Sequence, residues 1–457
     1  EQEMVGFFTS RAGHTSIQDE AARQVEVWGE HFEQRAYAAL DTIGPLQLGR
    51  DFVGWTSMYD GTEIDKAEME EWLGDTMQTL LNGRPPGNVL EIGTGTGMIL
   101  FNLGHGLETY VGLEPSKSAA AFVANKANSI PHLAGKVDVR VGTALDIAGR
   151  GDIAPDLVVL NSVVQYFPSA DYLADVTSTL IRLPRVKRIF FGDLRPHSLD
   201  KHFRAARALR KLGERALKSD VRRQMAEIGE REEELLVDPA FFTSLVARFP
   251  ALVEHVEIVP KRMSATNELS SYRYAAIVHL RRQRERPLCI HTIDQDGWVD
   301  FSASSMDRGS LFRLLQSSTS ALAVAVSNIP HSKTTLERRA VEWLSAESGG
   351  GPGTEETWLS AVRSAGQARP ALCVTDLMAV GSDAGFHVEI SWARQSSQDG
   401  ALDAVFHRHA AAGDKARVMM RFPTDRASGS LTNCPLRPAA NRRMEECARK
   451  WLQTRLP

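Results

Sequence analysis

One stretch restricts the possible folds more than any other. The apolar strand VLEI (89–92) runs directly into GTGTG (93–97) and then into the helix-like MILFNLGHG (98–106). A sharp turn between strand and helix needs backbone conformations and close approaches that glycine alone reaches cheaply. The start of the helix offers free N–H groups and a partial positive charge. About twenty residues after the first glycine, the strand YVGLE (110–114) ends in Glu114, the position at which nucleotide-binding α/β folds set an acid against ribose hydroxyls. Strand, glycine turn, helix and acid together predict a ligand crevice, which a lone glycine string does not.

The spacing is GxGxG, and not the GxGxxG of dinucleotide-binding enzymes. An acid inside the motif, Glu91, repels a pyrophosphate and suits a cation. The expected ligand is therefore S-adenosylmethionine, with its sulfonium and amino group. Glu91, Gly93, Thr94, Gly95, Gly97, Glu114 and Pro115 form the first set of cofactor-binding candidates.

VDVRV (137–141), LVVL (157–160) and KRIFFGD (187–193) are further short apolar strands with helical or loop segments between them. Such alternation predicts a parallel sheet covered on both faces. Segments 252–259 and 272–280 read as a strand pair completing its edge. Residues 18–40 read as a helix with Val25, Trp28, Phe32 and Tyr37 near one face. Ile64 to Leu81 repeats Met69, Trp72, Leu73, Met77 and Leu80 at helical spacing, and Arg84-Pro85-Pro86-Gly87 stops it. Residues 197–235 are charged and helix-forming. Beyond 286, strands near 320–327 and 386–393 mix with helices near 310–316, 335–344, 356–367 and 370–384, around a glycine break at Gly349–Gly353.

The predicted fold class is thus α/β: a Rossmann-like class I methyltransferase sheet with a helical N-terminal lid and a smaller C-terminal α+β lobe. The expected division is 1–15 (a short apolar strand, MVGFF), 16–86 (helical lid), 87–285 (cofactor-binding core) and 286–457 (C-terminal lobe). At 457 residues the chain is long for one core. A net charge of −4 gives no general pull toward nucleic acid or anionic membrane, so neither is expected as a partner. The four cysteines are scattered, without a CxxC pair, which points away from a zinc site or disulfide framework and fits a cytoplasmic setting. No apolar run approaches the roughly 18 residues of a membrane span, and no secretory leader is visible.

Other candidates sit at the carboxyl ends of the predicted strands. In VGTALDI (141–147), Ala144, Leu145 and Asp146 wall or hold the adenine, or Asp146 caps a turn. In LNSVVQYFP (160–168), Asn161 and Ser162 lie where ligands of such sheets bind. Tyr166 and Phe167 either wall the transfer centre or fill the core. Asp193 either accepts from an amine or pairs with Arg195. His197 either takes the released proton or starts a helix. Glu232, Glu233 and Glu234 read as a solvated helix face. GWTSMYDG (54–61) is a candidate lid whose Trp55, Met58 and Tyr59 either close over a cation or pack. Ser391, Asp403 and His407 lack a GxSxG elbow, so a hydrolase is not indicated.

These strings together resemble the N-methyltransferase domains embedded in adenylation domains of fungal nonribosomal peptide synthetases, of the cyclodepsipeptide and cyclosporin type. The resemblance is carried by DFVGWTSMYDG (51–61), MEEWLGDTM (69–77), VLEIGTGTGM, GLEPS (112–116), NSVVQYFPSADYL (161–173) and FFGDLRPHSL (190–199). It continues through ELLVDPAFF (234–242), NELSSYRYAAIVHL (267–280), NIPHSKT (328–334), the stretch 384–408 with SWARQ, and RFPTD (421–425). GWTSMYDG and SWARQ are the most specific of these. MVGFF and the final WLQTRLP resemble the strand and helix of an interrupted adenylation domain, so an excised domain is expected. Cys434, in LTNCPLR, departs from the pattern. The resemblance implies an acceptor: an aminoacyl thioester on the phosphopantetheine arm of a peptidyl carrier domain, with the host adenylation domain as neighbour. Arg394 in SWARQ is then a candidate for holding a carbonyl or phosphate of that arm.

Overall fold

A computed structural model describes residues 23–24, 27–30, 32–37, 40–148, 152–282, 288–345, 357–367, 369–395, 399–410, 418–424, 429–436 and 438. The predicted opening strand, Val25, the Gly349–Gly353 break and the terminal WLQTRLP lie outside them.

The predicted parallel sheet is present. Strands β1 (Gly87–Ile92), β2 (Leu107–Glu114), β3 (Val137–Val141), β4 (Leu157–Asn161) and β5 (Arg188–Leu194) pair in parallel in the order β3-β2-β1-β4-β5. β6 (Val253–Pro260) and β7 (Tyr274–Leu280) complete seven strands, with β7 antiparallel between β5 and β6. Leu157 to Leu160 are all buried. A strand apolar on both faces needs a helix layer on each, which explains why its sequence does not alternate. Strand order reverses between β1, with β2 on one side, and β4 on the other. Such a switch point leaves a crevice beyond the carboxyl ends of the strands.

Helix α1 (Lys66–Leu81) begins where Asp65 accepts the Ala67 N–H at 2.8 Å. It ends at Asn82, whose φ of 50° is left-handed, just ahead of the Pro-Pro pair. Met69, Trp72 and Leu73 form its buried face. Helices α2 (Met98–Asn102), α3 (Lys117–Asn128) and α4 (Ala170–Arg182) follow β1, β2 and β4, and α5 (Asp200–Leu212) and α6 (Lys218–Glu230) occupy the charged region.

The last third carries helices α7 (Arg308–Ser317), α8 (Thr335–Ser345), α9 (Trp358–Gln367) and α10 (Val374–Asp383). A second sheet has the order β11-β12-β10-β9, from β9 (Trp298–Asp300), β10 (Ala323–Ile329), β11 (His387–Trp392) and β12 (Leu402–His407). β8 (Cys289–Thr292) pairs with β13 (Val418–Arg421). One buried apolar cluster reaches from Leu90, Leu160 and Phe191 in the large sheet to Val326, Trp392 and Phe406 in the second. Among the described residues no helix is long and apolar enough to cross a membrane.

Candidate active site

The loop after β1 is built by three glycines with φ of 74° (Gly93), 54° (Gly95) and 84° (Gly97), a region that side chains disfavour. Their neighbours differ. A Cβ on Gly93 would lie 2.4 Å from Val163 Cγ2, and one on Gly97 2.4 Å from Phe101 Cε2. On Gly95 it would meet only Tyr37 Oη, at 3.4 Å. A side chain at Gly93 or Gly97 would thus strike packed neighbours, whereas one at Gly95 has room; Gly93 and Gly95 both border a cavity of about 400 Å³, within the range of small-molecule sites.

Glu114 holds that loop in place. Its Oε2 accepts the Gly95 N–H at 2.8 Å and its Oε1 the Ser116 N–H at 3.0 Å. Burial raises its pKa, against those two hydrogen bonds. A carboxylate offers about four acceptor positions, so capacity remains for ligand hydroxyls. Glu91 also lines the crevice, and Tyr110 Oη donates to its Oε2. Burial pushes the Glu91 carboxyl up to about 8, against that hydrogen bond. Burial thus favours its neutral form over the charged one.

At the ends of β4 and β5 the backbone is strained. Ser162 and Asp193 are both left-handed, with φ of 57° and 60°, and the β5–β7 register shifts between Phe191 and Leu194. Such backbone costs of order 1–3 kcal/mol per residue and persists where the surroundings demand it. Here it turns the fully buried Asp193 carboxylate into a socket. Trp72 Nε1 donates to Oδ1 at 3.1 Å, Ser162 Oγ donates to Oδ2 at 3.1 Å, and Arg273 Nη1 lies 3.9 Å from Oδ2. The cation beside Asp193 is thus Arg273, so the alternative pairing with Arg195 is not the one formed.

Arg195 instead bonds Glu232 and Glu234, at 2.8 Å each. The expected solvated face at Glu232–Glu234 is overturned: Glu232 is buried and both carboxylates grip a buried guanidinium. Only burial against a partner 37 and 39 residues away accounts for these acids.

A roof closes over the crevice. Trp28 packs at a tilt on Tyr166 (4.8 Å between centroids), Phe32 meets it edge-on (5.1 Å), and Tyr37 lies beside Phe32 (5.8 Å). Glu33 ties this segment to α3 by accepting from the hydroxyls of Ser116 and Ser118. The lid loop is pinned from elsewhere: Glu268 accepts from Ser57 Oγ at 2.7 Å and the Met58 N–H at 2.8 Å. Trp55 packs on Trp72, 4.5 Å between centroids.

Of the sequence candidates, Trp55, Glu91, Gly93, Thr94, Gly95 and Glu114 line this one crevice, as do Pro115, Ala144, Asn161, Ser162, Tyr166 and Asp193. Six others do not. Gly97 begins α2. Leu145 is exposed. Asp146 accepts the Thr143 N–H at 2.7 Å, as a turn cap. Tyr59 faces away, with Arg210 4.2 Å above its ring. His197 Nδ1 contacts Ser430 O at 3.2 Å. Arg394 adopts left-handed backbone, and its N–H donates to Asp403 at 3.0 Å. Gln165, Glu268 and Arg273 join the lining without having been singled out, as do Trp28, Phe32 and Tyr37, which the sequence marked only as a helix face.

The crevice fits a cationic adenosyl ligand. Asn161 Oδ1 and Gln165 Oε1 are buried acceptors with no hydrogen-bond partner among the described residues, and both residues line the crevice. Unpaired buried acceptors are costly unless a donor arrives. Glu91 provides a test. A nearby cation lowers its pKa, so binding releases a proton and affinity rises with pH as the pH approaches 8. Titration calorimetry between pH 6.5 and 8.5 is expected to show a steeper rise for S-adenosylmethionine than for S-adenosylhomocysteine, which lacks the sulfonium charge. Equal slopes would refute this role for Glu91.

Residues 90–186 match the methyltransferase domain family. Over its whole length the chain is 54% identical to part of PF 1022-synthetase from Rosellinia sp.. It is likewise 53% identical to part of the nonribosomal peptide synthetase kk1B from Curvularia clavata, and 51% to part of cyclosporin synthetase simA from Tolypocladium inflatum. The chain spans only 14%, 4% and 3% of those proteins. Among solved structures, magnesium protoporphyrin IX methyltransferase from Synechocystis PCC 6803 with bound S-adenosylmethionine aligns at 12% identity and a TM-score of 0.36, covering 60% of this chain and 100% of that one.

Proposed function

We propose, from the premise that this chain is an S-adenosylmethionine-dependent methyltransferase, that it methylates the α-amino nitrogen of an aminoacyl thioester on a peptidyl carrier domain. The carrier and a host adenylation domain would be its neighbours within a longer synthetase, in a cytoplasmic setting. Full-length similarity to parts of fungal cyclodepsipeptide and cyclosporin synthetases supports this reading.

The observation that carries the choice of a nitrogen acceptor is the lining of the crevice. Its described residues include Glu91, Glu114, Asp193, Glu234 and Glu268, one guanidinium (Arg273), and no histidine or lysine. A hydroxyl acceptor needs a strong base. An α-amine does not: its reference pKa is about 7.7–8.0, so a neutral fraction exists near pH 7. When bound, S-adenosylmethionine supplies an electrophilic methyl group on a positive sulfur. Glu114 and the Gly95 turn would hold the ribose, Ala144 the adenine face, and Glu91 with the Gly93–Gly95 backbone the cationic end. Asn161 and Gln165 offer carbonyl oxygens to N–H donors. The roof of Trp28, Phe32 and Tyr37 excludes water and aligns the reactants, which is the principal contribution such a transfer needs. Surrounding carboxylates favour positive charge as it develops on nitrogen.

The test offers one amino acid in three forms: free, as the carrier-bound thioester, and as the carrier-bound hydroxy-acid analogue. Mass spectrometry is expected to find one added methyl on the aminoacyl carrier alone. Methylation confined to the free amino acid, or to the hydroxy acid, would overturn the acceptor.

A further inference from the structure

A second cavity, of about 360 Å³, lies against the first. The two share three lining residues: Trp28, Met58 and Glu234. Its remaining walls come from the lid loop (Tyr59), from α5 (Arg207, Lys211), from α6 (Gln224, Glu227, Ile228), and from the bend after α6.

Its lining carries both signs of charge. Arg207 and Lys211 lie one turn apart on α5, hence on one face, and neither forms an ion pair among the described residues. Lys211 is exposed and Arg207 half-buried. Arg207 has the carboxylates of Glu232, Glu268 and Glu234 near enough to favour its charge, which leaves Lys211 as the cation that meets an anion. Four acids share the lining: Glu232 and Glu234, which bond Arg195, and Glu227 and Glu233. At the inner end, Glu234 uses Oε2 for Arg195, and no hydrogen bond to its Oε1 is formed by the described residues. Only 17% of its side chain is accessible, at the partition between the cavities. Lys211 thus suits an anion and Glu234 a hydrogen-bond donor.

We propose that this second cavity is the channel by which the acceptor arm reaches the transfer crevice, Lys211 holding the arm's phosphodiester and Glu234 accepting a hydrogen bond from its amine. The inference rests on the aminoacyl thioester acceptor proposed above. The amine donates one N–H to Glu234, which leaves its lone pair directed at the crevice. That pair forms the N–C bond while the electrons of the breaking C–S bond return to sulfur. The resulting ammonium then loses a proton to water.

The experiment uses the full chain with two probes, an aminoacyl phosphopantetheine thioester and the pantetheine thioester lacking the phosphate. Ile228→Trp fills the channel away from the crevice. It is expected to raise KM for both probes at least about tenfold while the affinity for S-adenosylmethionine stays at the wild-type value. Gln224→Trp fills the same space from another position, should the first variant fail to fold. Lys211→Glu is expected to raise KM about fivefold or more for the phosphorylated probe only. Wild-type KM in both filled variants overturns the channel and leaves the acceptor reading standing. An equal effect of Lys211→Glu on both probes overturns the phosphate contact. A wild-type protein that methylates neither probe removes the acceptor reading first, and the channel with it.

Discussion

Gly95→Val is expected to abolish S-adenosylmethionine binding while the protein still folds. Gly95 sits at φ 54°, where a side chain costs about 1–2 kcal/mol and a branched one more. Its N–H is fixed by Glu114 at 2.8 Å, so the residue cannot rotate away without releasing the acid at the end of β2. The valine methyls would project beside Tyr37 Oη into space that the protein leaves open. Calorimetry is expected to show an affinity at least a hundredfold weaker, about 2.8 kcal/mol. Cofactor is expected to raise the melting temperature of the wild type alone. Wild-type affinity in the variant would remove Gly95 from the binding surface. Gly93 makes the contrast clear: a Cβ there strikes Val163, so the damage would fall on packing before it reached the ligand.

Arg195→Leu is expected to be the most destabilising single change. The guanidinium is 4% exposed and bonds two carboxylates, themselves 7% and 17% exposed, at 2.8 Å each. Leucine leaves two acids without their cation in a poorly solvated place. Removing one partner of a buried pair costs about 3–5 kcal/mol. The pH dependence has a definite sign. Burial lifts the Glu232 carboxyl, but the charge and hydrogen bond of Arg195 outweigh that and hold it below its ordinary value of 4.5. The stabilisation from this pair is therefore present above that value and lost as pH falls through the lowered one. Chemical denaturation at pH 7 and again near pH 4 is expected to show the gap between wild type and variant narrowing at the lower pH. A gap of constant size would mean that the destabilisation comes from lost packing.

The large sheet was legible because each parallel strand is a short apolar run, set off by glycine, proline or polar turns from the helix that follows. Glu91, Gly95, Glu114, Asn161 and Asp193 share a crevice for the same local reason: each stands in β1, β2, β4 or β5 at or near its carboxyl end, or in the turn that follows. What the sequence concealed is non-local. Trp28, Phe32 and Tyr37 carry the spacing of a helix face, and that spacing is the same whether the face packs on a core or covers a ligand. Glu268 reaches the lid loop across 211 residues, and no pattern foretells it. β12 was hidden by Asp403, a charge amid apolar residues. Its fully buried carboxylate accepts the N–H groups of Asn328 and Arg394, both at 3.0 Å, and so belongs inside a strand after all. β9 and β13 are three and four residues long, too short for any period to emerge.

The apolar cluster that joins Leu90 to Phe406 has a consequence for how such a segment is inherited. Two sheets that share one interior cannot be traded separately between genes, because each would arrive with an oily face uncovered and aggregation-prone. Any exchange of this region between genes therefore has to carry the stretch from the glycine turn to β12 as an indivisible cargo, with its breakpoints outside.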